Sequence, residues 1–228
     1  MELTRSRIDR LGDRLRKGDI SEDDLRLLDR YRRSFSGAYE FVVETIRGEL
    51  KLEPTGRPAK STTSISDKLR RESIRLTQIQ DIAGCRLIVP DVASQDAVVK
   101  SLEGLFENAT AIDRRAKPSH GYRAVHVVVN SSGKLIEIQV RTELQHLWAE
   151  LSEKFSDVVD PAIKYGGGKE EIQTILTALS STVVFMEILE TIEEAPTDFQ
   201  EGLSLRRLRL SEKIRDIIRR VEGVRKER

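Results

Sequence analysis

The apolar positions change period along the chain, and each change predicts an element. Leu25, Leu28, Tyr31, Phe35, Tyr39, Val42, Val43 and Ile46 fall on one helical face. Ser21-Glu22-Asp23-Asp24, just ahead, sets a hydroxyl and an acid at capping spacing, so a helix is predicted from there to about Leu50. A shorter, charged helix over 3–17 closes at Gly18. Pro54, Gly56 and Pro58 predict a loop. A helix from about Ser61 to Ser73 follows, with Ile65 and Leu69 four apart.

The pattern then shortens to strand length. Ile82 to Val89 is rich in branched residues and predicts a central strand. A helix is predicted over 92–106, a short strand over Ala109–Ile112, and a polar loop from Asp113 to Gly121. Arg123–Val129 and Lys134–Val140 flank Asn130-Ser131-Ser132-Gly133, a strong hairpin signal that demands an antiparallel pair. Thr142 is placed to cap a helix through about Phe155. Gly166-Gly167-Gly168 breaks the chain, and helices over about 169–194 and 198–224 follow, separated near Pro196. This order predicts an α/β (α+β) fold with a mixed sheet between helices. Three regions are expected: an N-terminal helical extension (1–50), a core (51–168) and C-terminal helices (169–228).

Composition narrows the picture. Charged residues are 34% of the chain and the net charge is +1, so affinity for a polyanion must come from local clusters. Cys85 is the single cysteine and sits in an apolar strand pattern, which predicts a buried spectator thiol and fits a reducing cytoplasm. No apolar run approaches the ~18 residues of a membrane span, and three scattered histidines make a zinc site a poor expectation.

Several charges serve no core. Lys60, Ser64 and Lys68 are spaced by four, so they share a face near a helix start, a natural phosphate cradle or a solvated basic face. Asp81 precedes a strand in which Arg86 stands among apolar residues; Asp81 either pairs with Arg86 or another base in a structural ion pair, or the two belong to a cleft. Leu135, Glu137, Gln139 and Arg141 share one strand face, Ile136, Ile138 and Val140 the other. A carboxylate on each of two strands, faced by cations, is what a magnesium–polyphosphate site requires. The loop from Asp113 to Tyr122 offers Arg114, Arg115 and Lys117, then an aromatic ring at a strand entrance. That combination suits a nucleotide or a single-stranded RNA end, and equally a solvated loop.

Together Arg57-Pro58-Ala59-Lys60, Ser64, Lys68, Asp81-Ile82-Ala83-Gly84-Cys85-Arg86, Gly121-Tyr122-Arg123-Ala124-Val125-His126, Glu137-Ile138-Gln139-Val140-Arg141-Thr142 and Trp148-Ala149 resemble the synthetase domain of the RelA/SpoT-homologue family. The likeness spans roughly 57–155 and is to the single-domain small alarmone synthetases. It implies a nucleotidyltransferase-like sheet and transfer of the β,γ-pyrophosphate of ATP to the ribose 3′-hydroxyl of GDP or GTP. By resemblance, Asp81 and Glu137 hold Mg²⁺, and Glu137 also draws the hydroxyl proton. Arg57 and Arg86 would sandwich adenine, and Lys60, Ser64 and Lys68 would grip the ATP phosphates. Tyr122 would stack on the acceptor base, with Lys117, His126, Gln139 and Arg141 around the junction.

The segment before Gly121 departs from the alarmone makers: it reads Lys117-Pro118-Ser119-His120 and lacks their upstream tyrosine. This form resembles the toxic branch, some members of which pyrophosphorylate the 3′-CCA end of tRNA and are held silent by an antitoxin. A homo-oligomer and a cytoplasmic location fit the resemblance, and no membrane partner is expected. A third reading, a catalytically inactive nucleotide-sensing module, is weakened by the presence of both acids and the cations.

Overall fold

Helix α1 (Arg5–Lys17) buries Ile8, Leu11 and Leu15 along one face and ends on Gly18 in the left-handed region. In the computed structural model, residues 3–57, 59–192 and 196–226 are described, with Arg57 and 224–226 described by backbone alone. The chain divides into two compact units. The first holds Met1–Leu87, Ser101–Ala111 and Val127–Gln139, the second Ile88–Lys100, Ile112–His126 and Val140–Arg228.

In the first unit α1 packs on a 3-10 turn at Leu76–Gln78, because Gly12 lacks the Cβ that would stand 2.7 Å from Leu76 Cβ. Asp9 fixes the approach, accepting from Thr77 N at 3.1 Å and Oγ1 at 2.6 Å. The capping box at Ser21 forms as predicted and starts α2 (Glu22–Arg33). The single helix expected to reach Leu50 is two: α2 stops at Ser34 and α3 (Ser36–Leu50) begins. Ser34 and Phe35 stay right-handed, with φ of −66° and −92°, so the apolar face runs on through the break. The predicted loop around Gly56 contains a short strand, β1 (Thr55–Arg57). It pairs antiparallel with β2 (Ala83–Val89), Gly56 opposite Cys85 and Arg57 opposite Gly84. Helix α4 (Thr62–Arg71) lies between them in sequence, its Ser61 cap accepting from Ser64 N.

The strands β1, β2, β3 (Thr110–Asp113), β4 (Val125–Ser131) and β5 (Lys134–Thr142) form one mixed sheet in the order β1-β2-β5-β4-β3. The hairpin turn has Ser132 and Gly133 at φ 51° and 74°, the doubly left-handed pattern of tight two-residue hairpin loops. The fold is the α+β class predicted, and helix α5 (Val92–Leu105) joins β2 to β3. Cys85 is buried in β2, and burial pushes its thiol up to about 12.

In the second unit α6 (Glu143–Val158) starts on a capping box of Thr142 and Gln145. Leu147, Trp148 and Leu151 pack with Leu176 of α7 (Glu170–Glu190) and with Ile214 and Ile218 of α8 (Thr197–Lys226). Leu144, Val183, Met186 and Leu203 form a second cluster. Trp148 Nε1 donates to Leu176 O at 2.7 Å, which satisfies the indole inside this core. Among the described residues, α7 alone is long and apolar enough by composition to cross a membrane, although its apolar residues form no uninterrupted run of that length. Its Leu176, Val183 and Met186 are buried in the helical core, while Ile175, Phe185 and Ile188 are exposed.

Candidate active site

The residues expected on the ATP side lie in the first unit. Asp81 sits two positions ahead of β2, and its carboxylate is paired with both predicted phosphate-side lysines. Lys68 Nζ stands 3.0 Å from Oδ1, and Lys60 Nζ closes on Oδ2. Lys60 N also donates to Ile82 O at 2.6 Å, which ties the loop before α4 to the entrance of β2. Burial alone would push the Asp81 carboxyl up; the charges and hydrogen bonds of Lys60 and Lys68 outweigh it and hold the group below its usual range. Among the described partners, the bonds of Asp81 thus run to the two lysines rather than to Arg86. Ser64 stands one turn before Lys68 and accepts from Ser61 Oγ at 2.8 Å.

Glu137 is buried on β5, which neighbours β2 in the sheet. Gly84 of β2 lies over it: a Cβ at Gly84 would stand 2.5 Å from Glu137 O and 3.5 Å from Glu137 Cβ. Only glycine admits this approach of the two strands. Gln139 Nε2 donates to Glu137 Oε2 at 2.8 Å, so the amide orients the acid. Arg86 is half-buried in β2, with Thr55 of β1 as its register partner. The side chain of Arg57, predicted beside adenine, falls outside the described residues.

Of the residues expected at the acceptor, Lys117, Tyr122, His126 and Arg141 lie in the second unit, and the last three form one cluster. Tyr122 OH lies 2.8 Å from His126 Nε2, and Arg141 Nη2 donates to the same oxygen at 2.9 Å. The Arg141 guanidinium also stands 5.0 Å from the centre of the Tyr122 ring. The backbone reaches this ring through a tight turn: Tyr122 N donates to Ser119 O at 2.9 Å, with His120 and Gly121 at φ 50° and 87°. Gly121 is required by Trp148, whose ring carbon would stand 2.7 Å from an added Cβ. His120 in turn packs on Gly166.

The preceding loop is less free than its polarity predicts. Arg115 pairs with Asp113 and Asp96, each at 2.7 Å, and its backbone oxygen accepts from Arg123 Nη1. Lys117 remains exposed. Sequence reasoning missed Gln95, Ser180 and Glu187, which are buried polar residues tied to this region. The available signal was weak: Ser180 and Glu187 stand seven apart among the apolar positions of a helix.

Residues 56–156 match the profile of a region found in RelA / SpoT proteins. An uncharacterized protein of Mycobacterium tuberculosis is 36% identical over 118 residues, 50% of this chain and 43% of its own length. The chain thus spans less than half of that curated relative. The crystal structure of small alarmone synthetase 1 from Bacillus subtilis is 28% identical, with a TM-score of 0.55 over 76% of this chain and 99% of the other. The same synthetase bound to its product pppGpp aligns with 26% identity and a TM-score of 0.55, over 73% and 94% of the two chains.

Proposed function

With a RelA / SpoT region over residues 56–156, we propose that this chain is an ATP-dependent pyrophosphokinase acting on a ribose 3′-hydroxyl. The observation that carries the reading is an acid at the entrance of β2 and a second acid on β5, the neighbouring strand. Asp81 is held ionised at the entrance of β2, and Gly84 of β2 opens onto Glu137 of β5. Two carboxylates are hard-oxygen donors. That set fits Mg²⁺, which takes one or two carboxylates and completes its shell with phosphate oxygens and water. Asp81 and Glu137 would hold the ion, which would supply charge neutralisation for the pyrophosphoryl group.

The rest is the work of side chains. Lys60 and Lys68 hand part of their charge from Asp81 to the phosphates of ATP, and Ser64 adds a hydroxyl. Arg57 and Arg86 hold the adenine. Glu137, aimed by Gln139, accepts the proton of the attacking hydroxyl. Tyr122, fixed by His126 and Arg141, stacks on the acceptor base. AMP leaves, and no covalent enzyme intermediate is needed.

GDP or GTP is the acceptor favoured here, supported by the likeness to the Bacillus subtilis synthetase that binds pppGpp. The second reading is the 3′ end of tRNA, with an antitoxin as partner. It draws on the changed segment before Gly121 and on the exposed Lys117, Arg206, Arg209 and Lys213. Incubation with labelled ATP and GDP, GTP or deacylated tRNA tests the proposal. Label in a guanine nucleotide supports the first acceptor, label in RNA the second, and no AMP release with any of them refutes the enzyme. Glu137→Gln is expected to lower transfer by ~10²–10⁴-fold with ATP still bound. A near-wild-type rate would remove Glu137 from the chemistry.

A further inference from the structure

Helix α7 carries two buried polar residues that neither a helical core nor the proposed chemistry calls for. Ser180 and Glu187 are 4% and 7% exposed. Seven residues apart, they stand two turns along one face, with the apolar Val183 between them. Ser180 Oγ donates to Gly121 O at 2.7 Å and accepts from Arg123 Nε at 3.2 Å. Gly121 is the residue before Tyr122. Two turns later, Glu187 Oε1 accepts from Thr142 Oγ1 at 2.6 Å and from Gln145 Nε2 at 3.0 Å. Thr142 is the residue after Arg141.

The two contacts therefore flank the two residues joined by the bond from Arg141 Nη2 to Tyr122 OH. Capping does not explain Glu187. The α6 box is complete without it: Thr142 Oγ1 accepts from Gln145 N at 3.1 Å, and Gln145 Oε1 accepts from Thr142 N at 3.3 Å. A buried carboxylate costs stability unless it is hydrogen-bonded, and Glu187 takes its bonds from Thr142 and Gln145. The ties also continue outward. Gln95 Nε2 donates to Gln145 Oε1 at 2.9 Å and to Val140 O at 2.8 Å, and Arg115 donates to Gln95 Oε1 at 3.2 Å.

We infer that Ser180 and Glu187 are positioning residues for acceptor binding, fixing Gly121-Tyr122 from the middle of α7 and Arg141-Thr142 from its C-terminal turn. The inference rests on the proposed pyrophosphokinase reading for what is positioned, a nucleotide base and ribose. The bracing itself is a property of the second unit. Neither residue touches the reacting groups in this account; each acts through the backbone or hydroxyl of a neighbour.

The test compares the full chain with Ser180→Ala/Glu187→Leu, which removes both ties, and with Glu187→Gln, which keeps an oxygen acceptor for Thr142 and Gln145. The double variant is expected to raise the acceptor KM, or lower kcat at saturating ATP, by about tenfold or more, since small misplacements are costly. The KM for ATP should stay within about twofold in the same assay. Glu187→Gln paired with wild-type Ser180 should rescue the acceptor KM. Ser180→Ala alone serves if the double variant does not fold. Ring-proton NMR of His126 reads the Tyr122 contact without any substrate, and it should shift in the broken variants and not in Glu187→Gln. Wild-type acceptor kinetics and an unmoved His126 signal in a folded variant would overturn the inference. So would equal loss toward ATP and acceptor, the mark of general loosening. If the wild-type chain transfers to no acceptor, the function proposal fails while the His126 signal still decides the bracing.

Discussion

Gly84→Ala puts the proposed acid pair under direct mechanical load. The added methyl would stand 2.5 Å from Glu137 O, a backbone atom that cannot swing aside. An ordinary C···O approach is ~3.3–3.6 Å, so β2 and β5 must part locally by about 1 Å. Overpacking of this kind costs ~1–3 kcal/mol. At about 2–4 °C per kcal/mol for a domain of this size, the melting temperature should fall by roughly 2–12 °C. The same displacement moves Glu137 relative to the entrance of β2, and 1 Å of error in a reacting group costs about 10²-fold in rate. Thermal melts and AMP release from ATP plus acceptor, measured on the same preparation, read both effects. Gly48→Ala is the control: it lies inside α3 with open space around the new methyl, and should stabilise by about 0.5–1 kcal/mol. A Gly84→Ala protein that melts within about 1 °C of wild type and transfers at the wild-type rate would show that the close approach of the strands is not needed.

Asp81→Asn should destabilise the first unit at neutral pH, because Lys60 and Lys68 lose their shared counter-charge. The Asp81 carboxyl is depressed in the fold, so its contribution is present above the unfolded value of ~3.9 and is lost as pH falls through the folded one. Denaturant curves should therefore show wild type and variant converging in acid; a gap that persists below the folded pKa would contradict this. Glu187 has the opposite sign. Burial pushes it up against the pull of Thr142, Gln145, Arg123 and Arg207, so wild-type stability falls as pH rises from the unfolded value through the folded one. Glu187→Gln should match or exceed wild type at neutral pH and lose that advantage in acid, as read by the same curves. Gly166→Ala drives a methyl into the His120 ring at a backbone φ of 81°, and should lower the melting temperature by several degrees, about 2–4 °C per kcal/mol of strain; an unchanged melt would mean the His120 contact is soft.

The strands and helices were legible where one period dominated. The hairpin announced itself through Ser132-Gly133, and the α6 cap through Thr142. The break between α2 and α3 left no mark because Ser34 and Phe35 keep right-handed backbone, and neither glycine nor proline stands there. β1 was hidden by its three-residue length between prolines, where turn chemistry outweighs strand pattern. Motif residues were named one by one from the chain, but their partners were not. Nothing in the spacing says that Asp81 takes Lys60 and Lys68 rather than Arg86, since that depends on how α4 folds back to the entrance of β2. Ser180 and Glu187 were silent for a related reason. A lone polar residue on an apolar helix face looks like noise until its long-range partner is visible.

The sheet ends in strands of three and four residues, β1 and β3. An outer strand this short offers few open amides and carbonyls to a foreign backbone, which blunts strand-by-strand growth into aggregates. Prolines at 54 and 58 narrow the offer further at the β1 border. Recruitment of a protein partner by main-chain zippering is accordingly disfavoured at both borders.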